Sequence, residues 1–171
     1  MRWMRTRLNE EEGFTLIELM VVVLIIAVLV AIAVPSFLGF RNRAQDRAAQ
    51  ADLRNALLAE KANWTDDAAF TTTEADLKSY EPGIEIETTA IGSLTSDSDV
   101  AVYLSVSGSD DQVCLVKMSD SGNTYAIFED ATSTGGTFYS AWNTSGTPAC
   151  PSAGAGGSAP SGWTTDGFPT P

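Results

Sequence analysis

One carboxylate stands alone in a long apolar run. From Phe14 to Val34 the chain has 21 residues and a single charged side chain, Glu18. Such a group can take a proton, accept hydrogen bonds or pair with a cation. Unpaired at the centre of a bilayer it costs roughly 3 kcal/mol, so an intramembrane acid reads as functional. Glu18 lies toward one end of the run, where the cost is smaller and a partner is still needed. Glu12-Gly13-Phe14-Thr15 joins a charged stretch to the apolar one. Elsewhere the chemistry is sparse. The two cysteines are Cys114 and Cys150, and there is no histidine, which removes the commonest metal ligand and general base. No nucleophile–base pair and no phosphate-cradling glycine loop stands out. Asp97, Asp99, Asp110 and Asp111 cluster near turns. Such oxygens can bind calcium, but EF-hand spacing is missing and acidic turns are usually only solvated. Asn63-Trp64-Thr65 and Asn143-Thr144-Ser145 fit the short glycosylation sequon. The chain reads as non-enzymatic, with no cofactor and no metal site assigned.

The element that must position Glu18 is a helix. Twenty-one helical residues span about 31 Å, enough to cross a bilayer core. The helical pattern resumes after Pro35 and continues to about Ala62. Proline inside a helix removes a backbone donor and clashes one turn back, so a kink is expected at Pro35, helped by Gly39. Beyond the kink, positions at 100° per residue give three stripes. Phe37, Phe40, Ala44, Ala48, Ala51, Leu58 and Ala62 share one face. Leu53, Leu57 and Trp64 lie opposite, and Arg43, Arg47, Arg54 and Lys61 run between them. A helix on a simple globular protein shows one apolar stripe. Two suggest two partners: the larger residues for the chain's own sheet, the Ala-rich stripe for other subunits. The basic stripe has three readings: a solvated face, contact with anionic headgroups, or pairing with acidic neighbours in an assembly.

The junction also carries a family resemblance. A short charged leader ending in Gly13, followed by Phe14-Thr15-Leu16-Ile17-Glu18 and an apolar run, resembles the class III signal of type IV pilins and pseudopilins. The resemblance covers residues 9 to 40. It implies cleavage between Gly13 and Phe14 by a prepilin peptidase, and N-methylation of Phe14. It makes Glu18 the charge partner that neutralises a neighbouring subunit's terminal amine in the assembled filament. Pro35 matches the family's helix-bending proline. The implied partners are further copies of the chain in a helical homopolymer, the membrane, the peptidase, a platform protein and an assembly ATPase. The implied history is a single-pass precursor in a bacterial cytoplasmic membrane, then an extracellular surface filament. Arginines flank the apolar run on both sides, so charge counting leaves orientation open. The cytoplasmic leader comes from the resemblance.

The expected fold is α+β: a long N-terminal helix, transmembrane in its first half, packed on a small antiparallel β-sheet head. Residues 1–13 form the leader and 14–34 the membrane and filament-core helix. Residues 35–62 continue it, 63–150 form loop and head, and 151–171 a Gly/Ser/Pro-rich tail. Alternating segments at Ile84–Glu87, Val100–Val106, Val113–Met118 and Tyr125–Phe128, separated by turn signals, predict a meander of about four antiparallel strands. Thr137–Trp142 adds an edge strand. One sheet face should cover the helix and the other should meet water. The tail lacks a core pattern apart from Trp163 and Phe168, and is expected to be mobile or to lie on a neighbour. Residues 62–171 hold fifteen acids against Lys78 and Lys117. Such a surface repels phosphate backbones, so no direct nucleic-acid binding is expected. Two cysteines in an exported chain suggest one disulfide, and their spacing fits neither a zinc site nor a CxxC pair. Three readings of function follow: a pilus subunit, a pseudopilin of a type II secretion or competence system, and a membrane-anchored binding module that never polymerises.

Overall fold

A computed structural model describes residues 13–87, 100–104, 111–132, 135–142, 150–151 and 161–171, with backbone alone at 101–104. The leader up to Glu12, Asp97, Asp99, Asp110 and the Asn143 sequon lie outside the described residues. Two compact units divide at Phe40 and Arg41.

The first unit is the apolar part of helix α1 (Leu16–Asp67). Side chains from Phe14 to Phe40 are all exposed, as expected of a surface whose partner is lipid or another apolar helix. Among the described residues, α1 is the one helix long and apolar enough to cross a membrane. Helical structure is continuous through Pro35 and Gly39. The proline ring removes the amide that would otherwise donate to the Ala31 carbonyl.

The second unit contains the rest of α1, helix α2 (Glu74–Tyr80) and a five-stranded sheet. Its strands are β1 (Ile86–Glu87), β2 (Val100–Leu104), β3 (Gln112–Met118), β4 (Thr124–Asp130) and β5 (Thr137–Trp142), paired in sequence order. β2 to β5 form an antiparallel meander. β1 corrects the expected topology, because it pairs parallel with β2. Twelve residues separate Glu87 from Val100, the length that a parallel crossover needs and a hairpin does not.

Side-chain alternation divides the core in two. Val113, Leu115, Tyr125 and Ile127 face α1 and pack with Ala49, Leu53, Ala56 and Leu57, joined by Leu77 of α2. Cys114, Val116, Ala126, Phe128 and Phe138 face the other way. This outer face was expected to meet water, and it does not. Trp163 lies over it, 8% exposed, with its ring centroid 6.1 Å from Phe128 and 5.7 Å from Trp142. Phe128 and Phe138 are too large and apolar to leave wet, and the C-terminal segment supplies their cover.

That segment then turns around the sheet edge. Thr164 makes a two-hydrogen-bond bridge with Tyr139 of β5, at 2.8 and 2.9 Å. Phe168 packs edge-on against Tyr125 and Tyr139, with the Arg54 guanidinium 5.1 Å from its ring centre. Gly162 (φ 83°) and Gly167 (φ 109°) bracket the turn, in backbone states that side-chain-bearing residues rarely adopt. The expectation of a mobile or neighbour-bound tail is therefore corrected for residues 161–171. They seal one edge and the outer face of their own sheet.

Polar ties fix the head on its helix. Asp46 accepts from Ser121 and Asn123 of the β3–β4 turn. Lys117 of β3 pairs with Asp52 at 3.0 Å, and Lys61 with Glu129 of β4 at 2.9 Å. Three members of the basic stripe thus act within their own chain: Arg54 and Lys61, and Arg47, which donates to Gln50 at 3.0 Å. Each ion pair has one partner in solvent and one largely covered (Glu129, Lys117), and the pairs fix register between helix and sheet.

Cys114 and Cys150 form a disulfide with Cα atoms 6.0 Å apart. It ties the fully buried centre of β3 to the start of the C-terminal segment. A bridge closing a 36-residue separation stabilises by about 3–4 kcal/mol in the chain-entropy model. Replacing both cysteines with alanine is expected to lose that much in urea denaturation of the full chain in detergent micelles. Two freely alkylated thiols in unreduced native protein would contradict the bridge.

Candidate functional site

α1 begins with a signal that the bare carboxylate reading overlooks. Thr15 precedes the first helical residue and Glu18 stands three positions later. The Glu18 Oε2 accepts the Thr15 backbone N–H at 2.9 Å and the Thr15 hydroxyl at 2.6 Å. In return the Thr15 Oγ1 accepts the Glu18 N–H at 3.3 Å. This reciprocal arrangement is a capping box, and it satisfies two backbone donors that a helix start otherwise leaves unpaired. Its sequence form, Thr-x-x-Glu before an apolar run, was readable from the start. Glu18 therefore has a role inside its own subunit as well as any role between subunits. The positive end of the helix dipole favours a carboxylate here.

Both Glu18 bonds use Oε2, so Oε1 has no partner among the described residues. Phe14 is 89% exposed just outside the cap. Gly13 is exposed, and a Cβ built on it would meet nothing within 4 Å. The same holds for Gly39. Among the described residues nothing meets a Cβ at position 13, so they place no demand for glycine there. The sequence-derived residues fall into two groups. Gly13, Phe14 and Glu18 meet at the helix start, joined by Thr15. Pro35 and Gly39 lie further along the same helix, and the cystine lies on the outer sheet face of the second unit.

The remaining candidates resolve simply. No group of three or more metal-ligating His, Cys, Asp or Glu occurs among the described residues. Asn63 is 4% exposed and donates from Nδ2 to the Ala69 carbonyl at 2.9 Å. It is an internal clasp rather than an accessible glycosylation acceptor. On α1 beyond residue 40, Ala44, Ala48, Ala51 and Leu58 are exposed and Leu53 and Leu57 are buried, while Ala62 and Trp64, expected on opposite stripes, are both half-buried.

Residues 8–34 match the family described as the prokaryotic N-terminal methylation motif. The chain is 37% identical over 70 residues to the type IV wide pilus major component PilA4 of Thermus thermophilus, covering 41% of this chain and 53% of that protein. It is 48% identical over 50 residues to the type IV major pilin protein PilA of Myxococcus xanthus, covering 29% and 23%. It is 36% identical over 75 residues to the type II secretion system core protein G of Vibrio cholerae, covering 42% and 49%. The chain spans about half or less of the length of these relatives.

Proposed function

We propose that this chain, which is similar to type IV pilins and pseudopilins through its N-terminal methylation motif, is the structural subunit of a type IV pilus-like filament. One observation carries this reading. The motif at residues 8–34 takes in the start of an apolar stretch, residues 14–40, whose side chains are all exposed and whose single acid, Glu18, is held at the helix start. Such a helix is stored in the membrane by its apolar surface. Packing against the same helix of other subunits keeps that surface from water when the subunit leaves the lipid.

In this reading residues 1–13 are removed by a prepilin peptidase, Phe14 is methylated, and residues 14–34 span the membrane before entering the filament core. The platform protein and assembly ATPase drive the transfer. Glu18 serves two helices: Oε2 caps its own, and Oε1 is left to accept the Phe14 amine of a neighbour. That pairing turns a buried charge into an ion pair and fixes the axial stagger. Pro35 and Gly39 give the helix a place to bend or loosen as it packs. The similarity to a type II secretion core protein supports the second reading, a pseudopilin. Electron microscopy of the cell surface with and without the gene separates the two, since a pseudopilin leaves no long surface filament.

Processing is tested at the junction. N-terminal mass analysis of native protein is expected to start at methylated Phe14. Gly13→Ala is expected to be cut, because it stays small. Gly13→Leu is expected to leave precursor in the membrane, because the side chain is bulky at the cut site. A native chain that retains Met1 to Gly13 would remove the processing step and the free amine with it.

A further inference from the structure

Glu60 is a buried acid that the filament reading does not use. It lies on α1, is 0% exposed, and accepts the Thr71 N–H on Oε2 at 3.1 Å. Its Oε1 is buried with no hydrogen-bond partner. The segment that follows α1 is clasped at three successive residues. Asn63 holds the Ala69 carbonyl, Trp64 packs on Phe70 with centroids 6.3 Å apart, and Glu60 holds the Thr71 amide. Ala68 is bent into the left-handed region (φ 54°) to enter this clasp, a conformation unfavourable for a residue with a Cβ. Thr71 passes the connection on. Its hydroxyl donates to Asp76 of α2 at 3.1 Å and accepts the Thr73 N–H at 3.0 Å.

The charge state of Glu60 follows from these contacts. A carboxylate would sit in the core with one hydrogen bond, whereas a neutral carboxyl leaves one weaker polar atom unpaired. Among the described residues Glu60 is in none of the ion pairs, and the charged groups of the packed elements have partners of their own. On α1, Lys61 is committed to Glu129 of β4, and Asp66 accepts from Tyr80 beside Asp67. On α2, Lys78 is paired with Glu74, and Asp76 holds Thr71. We propose that Glu60 is a proton-operated latch: neutral, it holds residues 69–71 and, through Thr71, α2 against α1; ionised, it releases them. Release brings water to the carboxylate and uncovers Phe70 while the helix and sheet stay folded.

Burial pushes the Glu60 carboxyl up to about 8, opposed by the Thr71 amide. An acid raised on folding contributes stability that is complete below its ordinary value of 4.5. That contribution declines as pH rises toward about 8 and is gone above it. The latch is thus closed at neutral pH and opens on the alkaline side.

The test is hydrogen exchange of the full chain in detergent micelles from about pH 6 to about pH 10, with times scaled for intrinsic exchange. The peptide covering residues 68–77 is read against the β3–β4 hairpin peptide, 112–130, in the same molecule. Wild-type protection of 68–77 is expected to fall about tenfold or more relative to the hairpin between about pH 7 and about pH 9.5. Glu60→Gln is expected to show a flat ratio, because Gln still accepts the Thr71 N–H and carries no charge. Asp76→Asn is expected to keep the wild-type fall. A flat ratio in wild type, an undiminished fall in Glu60→Gln, or its abolition by Asp76→Asn would overturn the latch. The wild-type ratio decides by itself if Glu60→Gln does not accumulate.

Discussion

Glu18→Leu is expected to be cleaved and inserted normally, yet to give almost no surface filaments. A leucine in the apolar run improves membrane retention, so a simple anchor would tolerate or benefit from the change. In the proposed filament, the variant would leave each Phe14 amine buried without its carboxylate, at a cost of about 3–5 kcal/mol per subunit. That lowers each addition step by about a hundredfold or more. The capping box makes a sharper comparison possible. Glu18→Gln keeps the cap, because Gln serves at that position, but it loses the charge. Thr15→Ala keeps the charge and loses a cap worth about 1 kcal/mol. If charge pairing governs assembly, Glu18→Gln falls with Glu18→Leu and Thr15→Ala stays near wild type. If the cap governs, the order reverses. Glu18→Asp should be intermediate, with the charge kept and its reach shortened by one methylene. The measurement is sheared surface protein against total membrane protein. Normal yield from Glu18→Leu would leave α1 as an anchor alone.

The parts of this molecule that were legible in sequence are those where a period or a motif is unambiguous. A 3.6-residue period separated buried Leu53 and Leu57 from exposed Ala44, Ala48, Ala51 and Leu58, because one face packs on the sheet and the other does not. Period-2 alternation located β3 and β4, since both sheet faces are specified at every second residue. It could not give the direction of β1. Two residues, Ile86 and Glu87, alternate alike in either sense, and only the twelve-residue interval to Val100 distinguishes them. α1 also runs to Asp67, past the expected end near Ala62. The expected helix stops short of Asn63 and Trp64, yet both belong to it and help hold the segment that follows. Glu60 was hidden by its class: a charged residue on a charged helix reads as solvated, and burial alone reveals the exception. At the candidate site the acid is plain in the sequence and its cap is not, because Thr15 belongs equally to the junction motif.

The C-terminal segment shows the same limit, and its energetics can be measured. Trp163 and Phe168 stand among Gly, Ser, Thr and Pro with no periodicity, so nothing local marks them as core. Their partners lie far back in the chain: Phe128 and Trp142 for Trp163, Tyr125, Tyr139 and Arg54 for Phe168. Removing a buried tryptophan side chain costs about 3–5 kcal/mol in a protein core. Trp163 lies on a sheet face near a chain end, where the surroundings can relax, so Trp163→Ala is expected to cost about 3 kcal/mol. Phe168→Ala should cost less, because its ring is only partly covered. Thr164→Pro deletes the amide that the Tyr139 carbonyl accepts and should cost about 1 kcal/mol. Urea denaturation of the full chain in micelles, with the disulfide intact, gives these differences. The intact bridge matters. Cys150 already holds the chain near the sheet, so the loss measured is that of packing rather than of tethering. A free tail would make all three substitutions nearly silent, within about 0.5 kcal/mol. A silent Trp163→Ala would therefore strip the sheet of its cover and return Phe128 and Phe138 to solvent. A loss near that of a core tryptophan makes residues 161–171 the closing layer of the head.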